Sequence, residues 1–242
     1  MTEIAPDRPR TPADTPARPV RQRWWRRPWV VPLALLVFAF VAVSLPPYLT
    51  LDSDRSRVPS PPDFAPHYPM LVAHVLFGSV AMLTCCLQVW PWFRQRYPRA
   101  HRISGRVYVF GGVVPGGVLA LFIGAFSPFG PVARVSNVML ALLWLTCTVI
   151  GYRRARQRRY GDHRRWMIRS FALTLSIIGN RLWGAIVTVV LIVTTPGIAD
   201  DGDRLAETTA GIGTWLGWTV ALLAAEWWLV ERRRTHRPRV GV

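Results

Sequence analysis

The stretch VMLALLWLTCTVIGYRRARQRRYGDHRRWMIRSFALTLSII, residues 138–178, decides how this chain is read. Two apolar segments flank a connection, 153–169, that holds eight arginines and a single acid, Asp162. A soluble helical hairpin would alternate polar and apolar faces along both arms, whereas here the polarity is confined to the turn. That is the pattern of two membrane helices joined on the side where basic residues are retained.

The same reading extends outward. Apolar runs occupy Pro28–Pro46, Met70–Trp92, Val107–Phe126, Val132–Tyr152, Trp166–Thr195 and Thr209–Val230. Each is near or above the ~20 residues a helix needs to cross hydrocarbon, so six spans are expected. All 30 basic residues are Arg, and 25 of them fall before the first run, in 93–106, in 153–169 or after the sixth. This asymmetry predicts a multi-pass protein of the cell inner membrane with both termini cytoplasmic. The opposite loops carry Asp52, Asp54, Asp63, Asp200, Asp201, Asp203 and Glu207. Trp24, Trp25, Trp29, Trp90, Trp92, Trp166, Trp227 and Trp228 sit at the expected cytoplasmic helix ends, where an indole prefers the headgroup layer.

The fold class that follows is all-α, an integral membrane bundle over 28–230 with a four-helix core from the second to fifth runs, 65–195. Residues 1–27 are rich in Pro and Arg and read as a disordered cytoplasmic tail, and 231–242 as a basic cytoplasmic tail. A cleaved signal peptide is the competing reading of the first run, but no small-residue cleavage box follows Ser44. The net charge of +17 would suggest nucleic acid in a soluble chain; on membrane-flanking loops it signifies topology and lipid contact, and no nucleic-acid partner is expected. Cys85, Cys86 and Cys147 lie inside spans and define no disulfide framework.

Lipid tails are as apolar as Leu, so inward faces show themselves by small and polar residues. His74, Gly78, Ala81, Cys85 and Gln88 form one stripe on the second run, which His67 continues just outside it. Gly112, Gly116, Ala120 and Gly124 form a ladder on the third, with Pro115 as a kink. The fourth offers Asn137, Ala141, Trp144, Thr148 and Gly151; the fifth offers Ser170, Thr174, Arg181, Gly184 and Thr188. The first run is expected to be peripheral and the sixth to pack on the core through Gly213, Gly217 and Glu226.

Arg94–Arg102 and Arg156–Arg164 resemble each other, each passing from Arg-Gln-Arg to His-Arg, which leaves open a repeat or a match by composition alone. The strings His101-Arg102-x-x-Gly105-Arg106-x-Tyr108 and His163–Ser170, with His74 upstream and Arg181 downstream, resemble the predicted bacterial membrane proteins of domain of unknown function 2306 over roughly 65–195. The resemblance implies a membrane core, carries no activity with it, and leaves the sixth run outside its support.

Two sites are expected. At the cytoplasmic mouth, His101 and His163 with Arg102, Arg106, Arg164 and Arg165 crowd helix N-termini and call for negative partners. Anionic phospholipid, a partner protein's acidic segment and haem propionates all qualify, and the imidazole pair could ligate one haem b. A second axial pair is missing, so a two-haem electron carrier is disfavoured by counting. Within the membrane, His74, Gln88, Asn137, Asn180, Arg181 and Glu226 are the polar groups. Arg181 and Glu226 are read as a structural ion pair, or else Arg181, His74 and Gln88 line a cavity for a quinone headgroup, an anion or a proton. A homo-oligomer or a membrane partner protein is compatible with either site. The leading reading is a non-catalytic module; a redox protein ranks second and a small-solute or proton transporter third. No catalytic residue is assigned, since no G-x-S-x-G, HExxH or carboxylate pair occurs at a helix end.

Overall fold

The computed structural model describes residues 29–62 and 64–235. The 1–27 tail, Asp63 and His236 lie outside the described residues, as does all of the C-terminal tail beyond Thr235. Helices account for all the regular structure among the described residues: α1 (Val30–Ser44), α2 (Pro46–Leu49), α3 (His67–Val89), α4 (Pro91–Arg96), α5 (Pro98–Tyr108), α6 (Val114–Ala125), α7 (Gly130–Arg156), α8 (Tyr160–Thr194) and α9 (Gly202–Thr235), with short 3₁₀ or π turns between some of them. Prolines punctuate the chain where their missing N–H costs nothing. Pro46, Pro91 and Pro98 each open a helix, so the end of one helix becomes the start of the next.

Four helices are long and apolar enough to cross a membrane: His67–Val89, Pro98–Ala125, Gly130–Arg156 and Tyr160–Thr194. The second of these is one rod built from α5, a π turn at Val109–Val113 and α6. Pro115 lies just beyond the π turn, where its ring crowds the preceding turn and removes a donor. The chain answers by widening, with the Val114 N–H reaching back five residues to the Val109 carbonyl. α1 is apolar but has only 15 residues, short of the ~20 a membrane crossing needs. α9 has 34, but threonine, glycine and tryptophan dilute its apolar stretch and both of its ends are charged.

Successive long helices pack on one another from α3 through α9, and α7 also touches α9. The core extends beyond the four helices expected to form it. Val37 and Val41 of α1 and Trp218 of α9 join Ala81, Cys85, Tyr108, Val113, Trp144 and Leu173 in one buried cluster. At the α9 end the physical reason is close backbone approach. A Cβ on Gly217 would lie 2.9 Å from Asn180 Cα, which seats α9 directly on α8, while the Trp218 indole N–H donates to Ser136 Oγ of α7 at 3.0 Å.

The glycine ladder faces inward. A Cβ on Gly112 would lie 2.9 Å from both Cα and Cβ of Ala81, and one on Gly124 equally close to Asn137 Cβ. Gly112→Ala is therefore expected to force α3 and the α5–α6 rod apart and to cost about 1–2 kcal/mol, read as a lowered unfolding midpoint of purified protein in detergent. Outward faces are apolar by contrast: Leu35, Phe38, Phe110, Leu182, Val189, Val193 and Leu223 are all exposed, as a surface solvated by acyl chains requires.

Candidate functional site

At the arginine-rich end, His101 stands in the first turn of α5 and His163 in the first turn of α8. His163 donates Nδ1–H to the Gly151 carbonyl at 2.8 Å, and Met167 Sδ passes where a Gly151 side chain would stand. The bond fixes the tautomer and leaves Nε2 as the accepting nitrogen. His101 Nδ1 is buried without a hydrogen-bond partner. Arg102, Arg106, Arg164 and Arg165 are all exposed. Asp162 is flanked by Arg159 at 2.6 Å and Arg165 at 3.7 Å. Arg164 and Arg232 both lie over the Trp228 ring, at 5.8 and 4.1 Å, so α8 and α9 share a cationic, aromatic rim.

Gln88 belongs to this end and not to the membrane centre. Its Nε2 donates to Ser104 Oγ at 2.6 Å and to the His101 carbonyl at 3.2 Å, binding α3 to α5. Glu226 also differs from expectation. It pairs with Arg169, whose Nη2 donates to Oε2 at 2.9 Å while Nε bonds Oε1, and the Arg169 guanidinium lies over Trp166 at 4.9 Å. α8 and α9 run antiparallel, so Glu226 is level with Arg169; Arg181, 12 residues on, lies ~18 Å further along the axis, more than an extended side chain can bridge.

One polar knot sits at the bundle's middle. Tyr108 Oη lies 2.6 Å from Ser170 Oγ and 2.7 Å from Thr174 Oγ1, Thr148 Oγ1 is 2.6 Å from Ser170 Oγ, and the Trp144 indole donates to Thr174 at 2.9 Å. Four of these residues were legible as inward-facing. Tyr108 was not singled out, although it lies one turn before Gly112 and so continues the glycine ladder's face.

Beyond the knot, toward the acidic loops, the helices line a half-open cavity of about 580 Å³. Its polar lining includes His67, His74, Asn137, Asn180 and Arg181, four of which the sequence placed inside the membrane. His74 donates Nδ1–H to the Gly116 carbonyl at 2.8 Å. Arg181 has no ion pair or hydrogen bond among the described residues. His67, read from sequence as lying outside the span, is the first residue of α3 and is only 1% exposed. Among the described residues, no group of three or more His, Cys, Asp or Glu is placed to hold a metal ion.

Long apolar helices, outward-facing aliphatics and an interior of small and polar residues define a polytopic helical membrane protein. The chain belongs to the family described as predicted membrane protein (DUF2306), whose model matches residues 71–229. The match reaches residue 229 and so takes in most of α9, which packs on α7 and α8. No curated protein and no solved structure matches the chain.

Proposed function

We propose that this protein is a non-catalytic module of the cell inner membrane, crossing it six times with both termini in the cytoplasm, whose arginine-rich mouth binds anionic phospholipid. The carrying observation is the gathering of exposed Arg102, Arg106, Arg164 and Arg165 at one end of the bundle, where Asp162 is the only acid in the two loops. Arginine forks match phosphate oxygens, and the aromatic rim over Trp228 suits the interfacial layer. Each arginine near an anionic surface contributes roughly 1 kcal/mol. Replacing all four with Gln is therefore expected to strip phosphatidylglycerol from the protein in native mass spectrometry. Unchanged retention would refute the assignment, and retention lost only for a co-purifying acidic protein would shift the partner from lipid to polypeptide. Reporter fusions at the two ends should both register as cytoplasmic.

A second reading rests on the two imidazoles. His163, with Nδ1–H committed to Gly151, offers Nε2 in the manner of a ligating histidine, and His101 holds an unpartnered buried nitrogen nearby. A single haem b held between them would give a Soret band that disappears in both His101→Ala and His163→Ala; colourless, folded protein from haem-sufficient cells excludes it.

A further inference from the structure

The cavity between the polar knot and the acidic loops is lined by two arginines, Arg57 and Arg181, and two histidines, His67 and His74, yet by no carboxylate among the described residues. Arg57 is accounted for at the rim, where it donates to the Val43 carbonyl at 2.9 Å. Arg181 is not: it stands near the middle of α8, exposed to the cavity, with no ion pair or hydrogen bond among the described residues. A guanidinium in that setting is costly unless an anion meets it. His67 makes a second, independent demand, because its Nδ1 is buried without a partner in a residue only 1% exposed. Buried polar atoms in native proteins nearly always have a partner, so an unsatisfied one lining a cavity points to a polar atom supplied from outside the chain. The rest of the lining is largely aliphatic and aromatic, including Leu71, Met82, Leu140 and Leu173.

We propose that this cavity binds a single-chain amphiphilic carboxylate, its head held by the Arg181 fork beside Asn180 and its apolar body lying along the α3 and α7 side chains. The volume lies within the ~300–1,000 Å³ usual for small-molecule sites, and the arginine geometry suits a planar two-oxygen acceptor. A neutral headgroup such as a quinone would satisfy hydrogen bonds but leave the charge unmet. The site is separate from the mouth, from which it is divided by the Tyr108 knot.

The test uses full-length, delipidated protein in detergent and compares hexadecanoate with hexadecanol, which differ in the head alone. Trp144 and Trp218 line the cavity, so intrinsic fluorescence reports occupancy. Hexadecanoate should bind saturably and at least tenfold more tightly than hexadecanol. Arg181→Gln should weaken hexadecanoate roughly ten- to hundredfold, the worth of a charge-assisted contact, and leave hexadecanol unchanged. A fold-preserving variant supports the pair: a Cβ on Gly78, which lines the cavity, meets nothing within 4 Å, so Gly78→Leu should occupy the space and abolish binding of both probes while the protein stays folded. Equal affinity for the two probes, or undiminished binding in either variant, overturns the proposal. Equally strong competition by phosphatidylglycerol would assign the site to a phospholipid headgroup instead. Arg102→Gln with Arg106→Gln should leave hexadecanoate binding intact; a loss there would place the ligand at the mouth and overturn the cavity.

Discussion

Glu226→Ala is expected to destabilise the bundle by about 2–4 kcal/mol, because it leaves Arg169 charged and unmatched between α8 and α9. The Arg169 and Glu226 side chains are 21% and 39% exposed, so the loss should fall somewhat below that of a fully buried pair. In a bilayer, acyl chains would solvate a bare guanidinium far less well than water does. The damage should be mostly the cost of the orphaned charge and only partly the value of the contact. The double variant Arg169→Met with Glu226→Met, which removes both charges at similar volume, is therefore expected to recover most of the stability. The measurement is the unfolding midpoint of each variant in one detergent. A Glu226→Ala midpoint equal to the parent's would show that the pair contributes nothing, and a double variant as weak as the single would show that packing, not charge, was lost.

The pairing of Glu226 illustrates where sequence reasoning stopped. The apolar runs gave each helix's existence because hydrocarbon thickness sets a length that any window of sequence reveals, and the stripes on α3 and α8 gave the inward faces because only small and polar residues have reason to turn from lipid. His74, Asn137 and Arg181 were placed on inward faces on that basis, and all three line the cavity. Which cation meets Glu226 depends on the relative axial registry of α8 and α9, fixed by the seating of Gly217 on Asn180, and composition carries no record of that registry. Gln88 shared a stripe with His74 and so was placed with it, but the two lie 14 residues apart on α3, about 21 Å, and answer to different neighbours. His67 was missed for another reason. Phe64 in the preceding loop stacks on Phe126 at 4.2 Å and lies edge-on to the His67 ring, so the loop folds back over the start of α3 and buries a residue that helix length alone leaves outside.

Arg181→Met is expected to act in the opposite direction from Glu226→Ala and to stabilise the lipid-stripped protein by about 1–3 kcal/mol. A charged arginine at the centre of a membrane helix costs ~2.5–3.5 kcal/mol on the insertion scale, and no partner among the described residues offsets it. Methionine retains an unbranched apolar stem without the charge, so little packing should be forfeited. Water reaching the cavity would solvate the guanidinium in part, which is why the gain should not exceed the scale value. The two substitutions thus separate two kinds of intramembrane arginine. Arg169 is matched, and losing its partner is harmful; Arg181 is unmatched among the described residues, and losing its own charge is a relief. A chain that retains a destabilising charge midway along a membrane-spanning helix gives up stability for something the group does. That trade predicts a crossing: saturating hexadecanoate should raise the midpoint of the parent and leave Arg181→Met nearly unmoved. If Arg181→Met instead lowers the midpoint without ligand as Glu226→Ala does, Arg181 has a structural partner and its charge is not held in readiness for an anion.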